Sequence, residues 1–388
     1  MNKKIVSFVK YNKFILWLYR LFGNFGISIL KIFVRVKKNR ILFMSFGGQK
    51  YDDSPKVLYE KMKNDPFFKD YELIWTFTNP NKFDYVEAKK VRTDSFAFYK
   101  LALSSKIWIN NSSVERGLRL RRKNQLEFNT WHGTPLKTMG PDKKHNEYKF
   151  RQKKNKGQIT YCSQSEYDRE IFTRLFNTDK ENIILSDLPR NDELINKVDV
   201  NSLKQNLNIP LDKKVILYAP TFREYCRDKF NSCYIKPPID LSKWQEKLGN
   251  EYVILFRAHY EVVSVLGIED NGFVYNVSSY PCLNDLIQVS DLLISDYSSI
   301  YFDYAITEKP MFNFSYDLDE YEEKRGLYLK LDEVLPCNVN FTEDDLLDEI
   351  MNYNVEEYSN KTRLFKKRFA PYAGSASETV INKIKEKL

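Results

Sequence analysis

Apolar residues in this chain come mainly as short unbroken runs, separated by longer stretches with helical periodicity. Beyond residue 40 the runs predict strands at Ile41–Phe46, Leu73–Thr78, Ile107–Asn110, Phe128–Trp131, Ile159–Cys162, Ile183–Leu185, Val215–Tyr218, Val253–Phe256, Phe273–Val277, Leu292–Ile294 and Met311–Phe314. Runs such as VILYAP and DLLISDY are apolar on both faces, which suits parallel strands covered by helices on either side. The alternation predicts an α/β fold with doubly wound sheets. At 388 residues the chain suits two domains of about 150–200 residues. The polar stretch Asn191–Pro210 marks the expected boundary. Two Rossmann-like domains, 41–200 and 201–388, would then face each other across a cleft. The final helix, about Ser375–Leu388, could pack on either.

The first forty residues break this pattern. Ten Lys or Arg occur there and no Asp or Glu. The longest uncharged stretch, Leu21–Leu30, is ten residues, against the ~20 a spanning helix needs. Recurring charges and the lack of a small-residue cleavage site argue against a signal peptide. On a helical wheel Lys3, Lys10, Lys13, Arg20, Lys31, Arg35 and Lys38 fall within roughly one third of the circumference. Phe8, Ile15, Leu18, Phe22, Phe25 and Ile29 lie mainly opposite. This predicts an interfacial helix or helix pair on anionic lipid, broken or bent at Gly23 and Gly26. The alternative is a helix packed on the protein's own core. Unrelieved positive charge favours the membrane, so residues 1–40 are set apart as a membrane-association segment.

Charge and cysteines narrow the class. The net charge is +9, but residues after 40 hold 51 basic and 52 acidic groups, a net of −1. A nucleic-acid reader more often spreads its basic patch over a folded face, so no nucleic-acid partner is expected. Five cysteines, an odd number without CxxC spacing, argue against a disulfide framework or zinc knuckle and fit a reducing compartment. GxGxxG, P-loop and GxSxG motifs are absent, which disfavours dehydrogenases, NTPases and α/β-hydrolases.

In open α/β sheets ligands bind beyond the C-terminal ends of strands. Four polar clusters fall there: Trp131–Lys137 (WHGTPLK), Ala219–Arg223 (APTFR), Arg257-Ala258-His259, and Ser295–Ser299 (SDYSS). Ser298 and Ser299 open a helix, where free N–H groups, hydroxyls and the helix dipole favour an anion; plain N-capping by Ser298 is the alternative. In an extended segment Arg257 and His259 point the same way and suit a diphosphate, or else a surface ion pair. His132 sits on a tight strand-to-helix turn, with Gly133 permitting close approach and Pro135 in the first helical turn. A near-neutral imidazole there suits a general base for a polyol hydroxyl, or else is a buried structural histidine. His145 lies in a charged stretch and is read as solvent-exposed. Asp317 and Asp319 in YDLDEY are read as a turn or helix entry, and no metal-ligating set is visible.

These clusters, with LPRND at Leu188–Asp192 and YDLDEY and RG at Tyr316–Gly326, resemble the CDP-glycerol glycerophosphotransferase family of teichoic-acid and capsule synthesis. The resemblance spans about Ile41 to Gly326. It implies a GT-B-like pair of domains, a CDP-polyol held largely by the second, and no cofactor or metal for donor binding. His132 would activate the acceptor hydroxyl, with His259 the second catalytic candidate. Arg257, His259, Ser298 and Ser299 would hold the pyrophosphate, and Thr221 would add a hydroxyl. Gly133, Thr134, Lys137, Arg223, Asp296 and Asp303 match the motifs and are taken as substrate-contacting. Where the family often has Gly-Tyr before Pro-Arg-Asn-Asp, Asp187 and Leu188 stand here, so the interdomain turn is expected to differ. The implied reaction moves glycerol phosphate from CDP-glycerol to a lipid-linked acceptor, releasing CMP, at the cytoplasmic face of an anionic membrane. CDP-ribitol is the near alternative donor. A nucleotide-sugar glycosyltransferase is a more distant reading, and a non-enzymatic adaptor leaves the cleft histidines without a role.

Overall fold

The computed structural model describes residues 12–144, 154–196, 198–223, 225, 237–258 and 268–388. His145, His259 and the basic residues before Asn12 lie outside the described residues. Two sheets form the framework. The first holds β1 (Lys37–Met44), β2 (Glu72–Phe77), β3 (Lys89–Arg92), β4 (Ser105–Asn110), β5 (Leu126–Asn129), β6 (Ile159–Ser163) and β7 (Ile183–Leu185), in the order β3-β2-β1-β4-β5-β6-β7. The second holds β8 (Lys214–Ala219), β9 (Tyr252–Phe256), β10 (Val274–Asn276), β11 (Leu292–Ser295), β12 (Met311–Phe314) and β13 (Val339–Asn340), ordered β10-β9-β8-β11-β12-β13. Every pairing is parallel. Both sheets therefore reverse direction at a switch point, β1/β4 in the first and β8/β11 in the second, where ligands bind in such folds.

The expected strands appear with ends shifted by a few residues, and β3 and β13 are additions. Burial explains the agreement: all five residues of β9 and all four of β11 are buried, as parallel strands covered on both faces require. The helix Ala376–Glu386 follows the whole second sheet yet packs on the first. Val380, Ile381 and Ile384 join the core of Ile41, Leu58, Trp75 and Phe128. Its first N–H groups, those of Ala376 and Ser377, donate to the Asp192 carboxylate at 2.8 and 2.9 Å.

One expectation fails at the N-terminus. Gly23 and Gly26 do not break the helix, which runs unbroken from Lys13 to Phe33. A Cβ on Gly23 would lie 2.7 Å from Leu118 Cδ2, so this glycine serves close packing. The helix is fastened along one stripe. Ile27 and Val34 enter the core beside Trp108 and Leu118. Tyr19 Oη donates to the Arg116 carbonyl, the Arg119 N–H donates to Asn24 Oδ1, and Lys31 Nζ donates to the Arg119 carbonyl. The opposite stripe is bare: Phe14, Trp17, Phe22, Phe25, Ile32 and Phe33 are all more than half exposed. By length and composition alone, Phe14–Phe33 is also apolar enough to cross a membrane, which the spacing of charges had spoken against.

The two sheets are joined by a buried polar network. Arg190 donates to Asp53 Oδ2 at 2.6 Å and to Asp303 Oδ2 at 2.7 Å, so one guanidinium bridges a helix of the first sheet and a helix of the second. Asn191 Nδ2 donates to Asp303 Oδ1 and Asp187 Oδ1 at 3.0 and 2.9 Å. Behind them Asp168 accepts from the Gln164 N–H and the Thr134 hydroxyl at 2.9 and 3.0 Å. Burial pushes the Asp168 and Asp187 carboxyls up to about 7, against hydrogen bonds that pull the other way. A carboxyl raised by folding stabilises the fold fully below its unfolded pKa, and that contribution is lost as pH rises through the folded value. The window here runs from about 4 to about 7. Asp187→Asn should therefore lose less stability than the parent protein between about pH 4 and about pH 7.5, read as the shift in urea midpoint. An unchanged shift would show that Asp187 does not hold a proton in the folded state.

Candidate active site

Five strand ends converge where the two sheets face each other. A cleft of about 430 Å³ lies between them. From the first sheet come the loop after β1, carrying Phe46, Lys50, Asp52 and Asp53, and the turn after β5, carrying His132. From the second come Ala219 and Pro220 after β8, Arg257 after β9, and Ser298 and Ser299 after β11.

His132 is the best-defined chemical group of the first wall. Trp131 adopts φ +54° and stacks on the imidazole at 4.2 Å between centroids. The ring's Nδ1 lies 2.8 Å from the Asn111 carbonyl oxygen. A carbonyl only accepts, so Nδ1 carries the hydrogen and Nε2 keeps its lone pair for the cleft. His132 is exposed toward the cleft, but the protein atoms around its ring desolvate it and lower its pKa from 6.5; the Asn111 carbonyl and Asp53 oppose the shift, and Arg190 adds to it. The imidazole is thus a neutral base at physiological pH. Asn111 also accepts the Phe46 N–H at 2.8 Å through its side chain, so one residue sets both the histidine and the loop after β1.

Gly133, at φ +144°, brings the two walls together. A Cβ there would meet Ser299 Oγ at 3.1 Å. Ser298 Oγ accepts the Ile300 N–H at 3.3 Å, the capping role held as the alternative, while both serines also line the cleft. Arg257 is anchored through Nη1, which donates to the Val277 and Tyr280 carbonyls at 3.1 and 2.8 Å. That leaves the rest of its guanidinium for the cleft. Asp303 lines the cleft but spends its carboxylate on Arg190 and Asn191.

Other motif residues lie elsewhere. Thr134 is buried, its hydroxyl shared between Gln164 and Asp168. Lys137 pairs through its backbone with Leu327, with its ammonium 5.7 Å from the centre of the Tyr321 ring. Arg223 is buried and holds Asp296 at 2.8 Å and Asp317 through two nitrogens at 2.7 and 2.8 Å. Asp296 in turn accepts the Thr221 and Tyr297 N–H groups. Thr134, Arg223 and Asp296 are buried behind the walls and Lys137 is half-buried; ligand contact was expected of all four, and none is among the described residues that line this cleft. Among the described residues the buried Thr221 hydroxyl finds no hydrogen-bond partner. Asp317 stands at the entry of the helix Leu318–Lys324, but its carboxylate holds Arg223 and accepts from the Tyr297 hydroxyl in place of capping the helix.

Sequence reasoning passed over Lys50, Asp53, Lys56 and Asn284, all of which line the cleft. Arg190 stood inside a quoted motif without a role. The signal for Lys50 and Asp53 was present: GGQKYDDS follows β1, a strand at the first switch point, and Lys56 stands two residues beyond it.

The sequence and fold are similar to those of known proteins. The model of the CDP-Glycerol:Poly(glycerophosphate) glycerophosphotransferase family matches residues 27–386. A teichoic acid poly(glycerol phosphate) polymerase of Staphylococcus epidermidis is 36% identical over 368 residues, 89% of this chain and 50% of the relative, so this chain spans about half that protein's length. A teichoic acid glycerol-phosphate transferase of Staphylococcus aureus is 32% identical over 366 residues, 89% of this chain and 93% of the relative. A variant of the wall teichoic acid polymerase TagF, soaked with CDPG, superposes with a TM-score of 0.80 at 32% identity, covering 94% of this chain and 93% of that one. By family model, sequence and fold alike, the chain belongs to the CDP-glycerol:poly(glycerophosphate) glycerophosphotransferase family.

Proposed function

We propose that this protein transfers glycerol phosphate from CDP-glycerol to a hydroxyl of a lipid-linked acceptor, releasing CMP. The observation that carries the reading is His132 in its base form, facing Arg257, Ser298 and Ser299 across one cleft. Residues 41–200 and 201–388 act as two domains in a GT-B-like arrangement, with the helix Ala376–Glu386 returned to the first.

In this mechanism His132 Nε2 takes the proton of the acceptor hydroxyl as its oxygen attacks the phosphorus that carries the glycerol. The bond from that phosphorus to the bridging oxygen breaks, CMP departs with the electron pair, and a phosphodiester forms. Such transfers need positioning and charge stabilisation more than covalent help from the protein. Arg257 and the N–H groups beside Ser298 and Ser299 meet the charge that builds on the leaving phosphate. His259 is proposed as a second donor to the pyrophosphate. CDP-ribitol presents the same pyrophosphate, and glycerol is favoured because the transferase and polymerase relatives above are named for glycerol phosphate.

The N-terminal helix supports peripheral docking on the cytoplasmic face of the membrane. Its packed stripe ties it to the body, and its bare aromatic stripe can enter lipid. The ten basic residues of the first forty add attraction to an anionic leaflet, ~1 kcal/mol for each one close to it.

Two outcomes are expected. CDP-glycerol, offered with a lipid-linked acceptor beside CDP-ribitol and nucleotide sugars, gives the fastest nucleotide release. His132→Ala lowers that rate by ~10²–10⁴ with donor affinity kept, and in the parent enzyme activity falls on acidification only below the ordinary imidazole value. Substantial turnover in a folded His132→Ala protein would remove the histidine from this role. In vesicle co-sedimentation, replacing Phe22, Phe25 and Ile32 with Ser should release the protein into solution with CDP-glycerol binding intact. The parent protein should prefer anionic vesicles and be partly displaced by salt, because screening weakens only the charge contribution. Equal sedimentation of parent and variant would place the membrane contact elsewhere.

A further inference from the structure

The cleft histidine and the N-terminal helix share one support. His132 is held by the carbonyl of Asn111, the first residue of the loop after β4. That loop, residues 111–122, is also the seat of the helix Lys13–Phe33. Along the helix, Tyr19 Oη donates to the Arg116 carbonyl at 3.1 Å and Gly23 lies against Leu118. Asn24 Oδ1 accepts the Arg119 N–H at 2.8 Å, and the Lys31 carbonyl accepts from Arg122 Nη2 at 2.9 Å. The inner edge of the same loop holds more than the histidine. Asn111 Oδ1 accepts the Phe46 N–H at 2.8 Å, and Ser112 Oγ accepts the Gly47 N–H at 3.2 Å. The Ser112 carbonyl accepts from Asn129 Nδ2 at 2.8 Å, at the end of β5, and Asn129 Oδ1 accepts the Trp131 N–H at 3.0 Å, one residue before the histidine.

Arg116 spans the two edges. Its carbonyl takes the Tyr19 hydroxyl, and its guanidinium reaches the other way, to the loop after β1. A Cβ on Gly47 would lie 3.4 Å from Arg116 Nη1. Arg116 Nε and Nη2 donate to the two oxygens of Asp94 at 2.9 and 2.8 Å. Such a planar two-point grip fixes the direction of the group as well as its place. Both partners have left-handed backbone, φ +62° at Asp94 and +53° at Arg116. That conformation is uncommon for residues with a Cβ, persists where the surroundings over-determine it, and gathers at functional sites. The pair is partly exposed, so its contribution to stability is small. What it does fix is the distance between the helix and the cleft loop.

We propose that Arg116 is a positioning residue for the transfer step, and that the helix Lys13–Phe33 braces the catalytic site: seated on residues 111–122, it holds Arg116 against Gly47 and the Asn111 carbonyl against His132. The brace acts on the hydrogen of the imidazole. Which ring nitrogen carries it is set by the hydrogen bond that the other makes. A loop free to shift releases Nδ1 from the Asn111 carbonyl and lets Nε2 take the hydrogen, which leaves no lone pair for the acceptor hydroxyl. A helix that only gathers enzyme at a bilayer has no such effect on a soluble substrate. The effect on rate rests on the transferase reading; the effect on the tautomer does not.

Two full-length variants test this, with no cleft residue changed. Gly23→Val with Tyr19→Phe wedges the helix off the loop, and Arg116→Gln cuts the brace with the helix in place. The acceptor is a lipid-linked one whose lipid is shortened until it is water-soluble, assayed without vesicles. In both variants kcat should fall roughly ten- to a hundredfold, with CDP-glycerol affinity kept, and Arg116→Gln should still sediment with anionic vesicles as the parent does. The chain has three histidines, so ring-nitrogen NMR of the 15N-histidine-labelled protein, assigned with His132→Ala, reads the His132 tautomer. The parent should show Nδ1–H and both variants a mixture with Nε2–H. An unchanged tautomer in the folded variants overturns the brace, whatever the rate, and so does a loss of CDP-glycerol affinity equal to the loss in kcat. A shifted tautomer in variants that keep the parent's turnover removes His132 from the role of base and leaves the brace standing. The same shift, in a protein whose parent releases no CMP from CDP-glycerol, overturns the transferase reading alone.

Discussion

The Arg190 guanidinium sits between Asp53 and Asp303, and most of the site depends on where it is held. Its two carboxylates come from helices on different sheets, so the ion pair registers one wall of the cleft against the other. Burying three charges costs several kcal/mol per ion, and good geometry with further hydrogen bonds is what offsets it. Here Asn191 and Gln164 donate to Asp303, and the Ser54 N–H donates to Asp53. Asp53 adopts φ +65°, uncommon for a residue with a Cβ. Removing one partner would leave charges buried and unpaired, the costly case. The close approach of Gly133 to Ser299 and Arg190 follows from this register.

The division of labour follows from topology. Each sheet contributes the ends of strands at or beside its switch point, β1 and β5 in the first and β8, β9 and β11 in the second, so each wall is assembled from short loops on rigid strands. The first wall carries the base and the second carries the anion-facing serines and Arg257. Asn111, at the end of β4, accepts hydrogen bonds from both the β1 loop and His132. A group placed this way needs little reorganisation when a substrate arrives, which is where electrostatic catalysis gains most.

Burial on both faces is what made the strands legible. VILYA and YVILF have no polar alternation to confuse with a surface strand or helix. KKVR in β3 has one buried residue and VN in β13 has two residues in all, so neither leaves a pattern. The cleft histidine and serines were legible because they follow the C-terminal ends of parallel strands, where chemistry belongs. Thr134, Arg223 and Asp296 sit in the same clusters but turn inward, and a hydroxyl or charge looks the same in sequence whichever way it points. Their partners, Gln164 and Asp317, are 30 and 94 residues away, beyond any local pattern. Gly23 misled for a related reason: a helical glycine reads as a breaker unless the facing Leu118 is known.

The helix Ala376–Glu386 also bears on how the molecule comes to be folded. Val380, Ile381 and Ile384 fill a core whose other members lie between Ile41 and Leu188. Asp192, at the end of the first half, waits for the Ala376 and Ser377 N–H groups. On the ribosome those residues emerge only after every strand of the second sheet. The half that is synthesised first is therefore completed last; until then it carries an uncovered apolar surface, and its Asp192 carboxylate has the Lys61 ammonium at 3.7 Å but not those two N–H groups. Nascent chains stalled inside the second sheet should be the ones that chaperones hold longest.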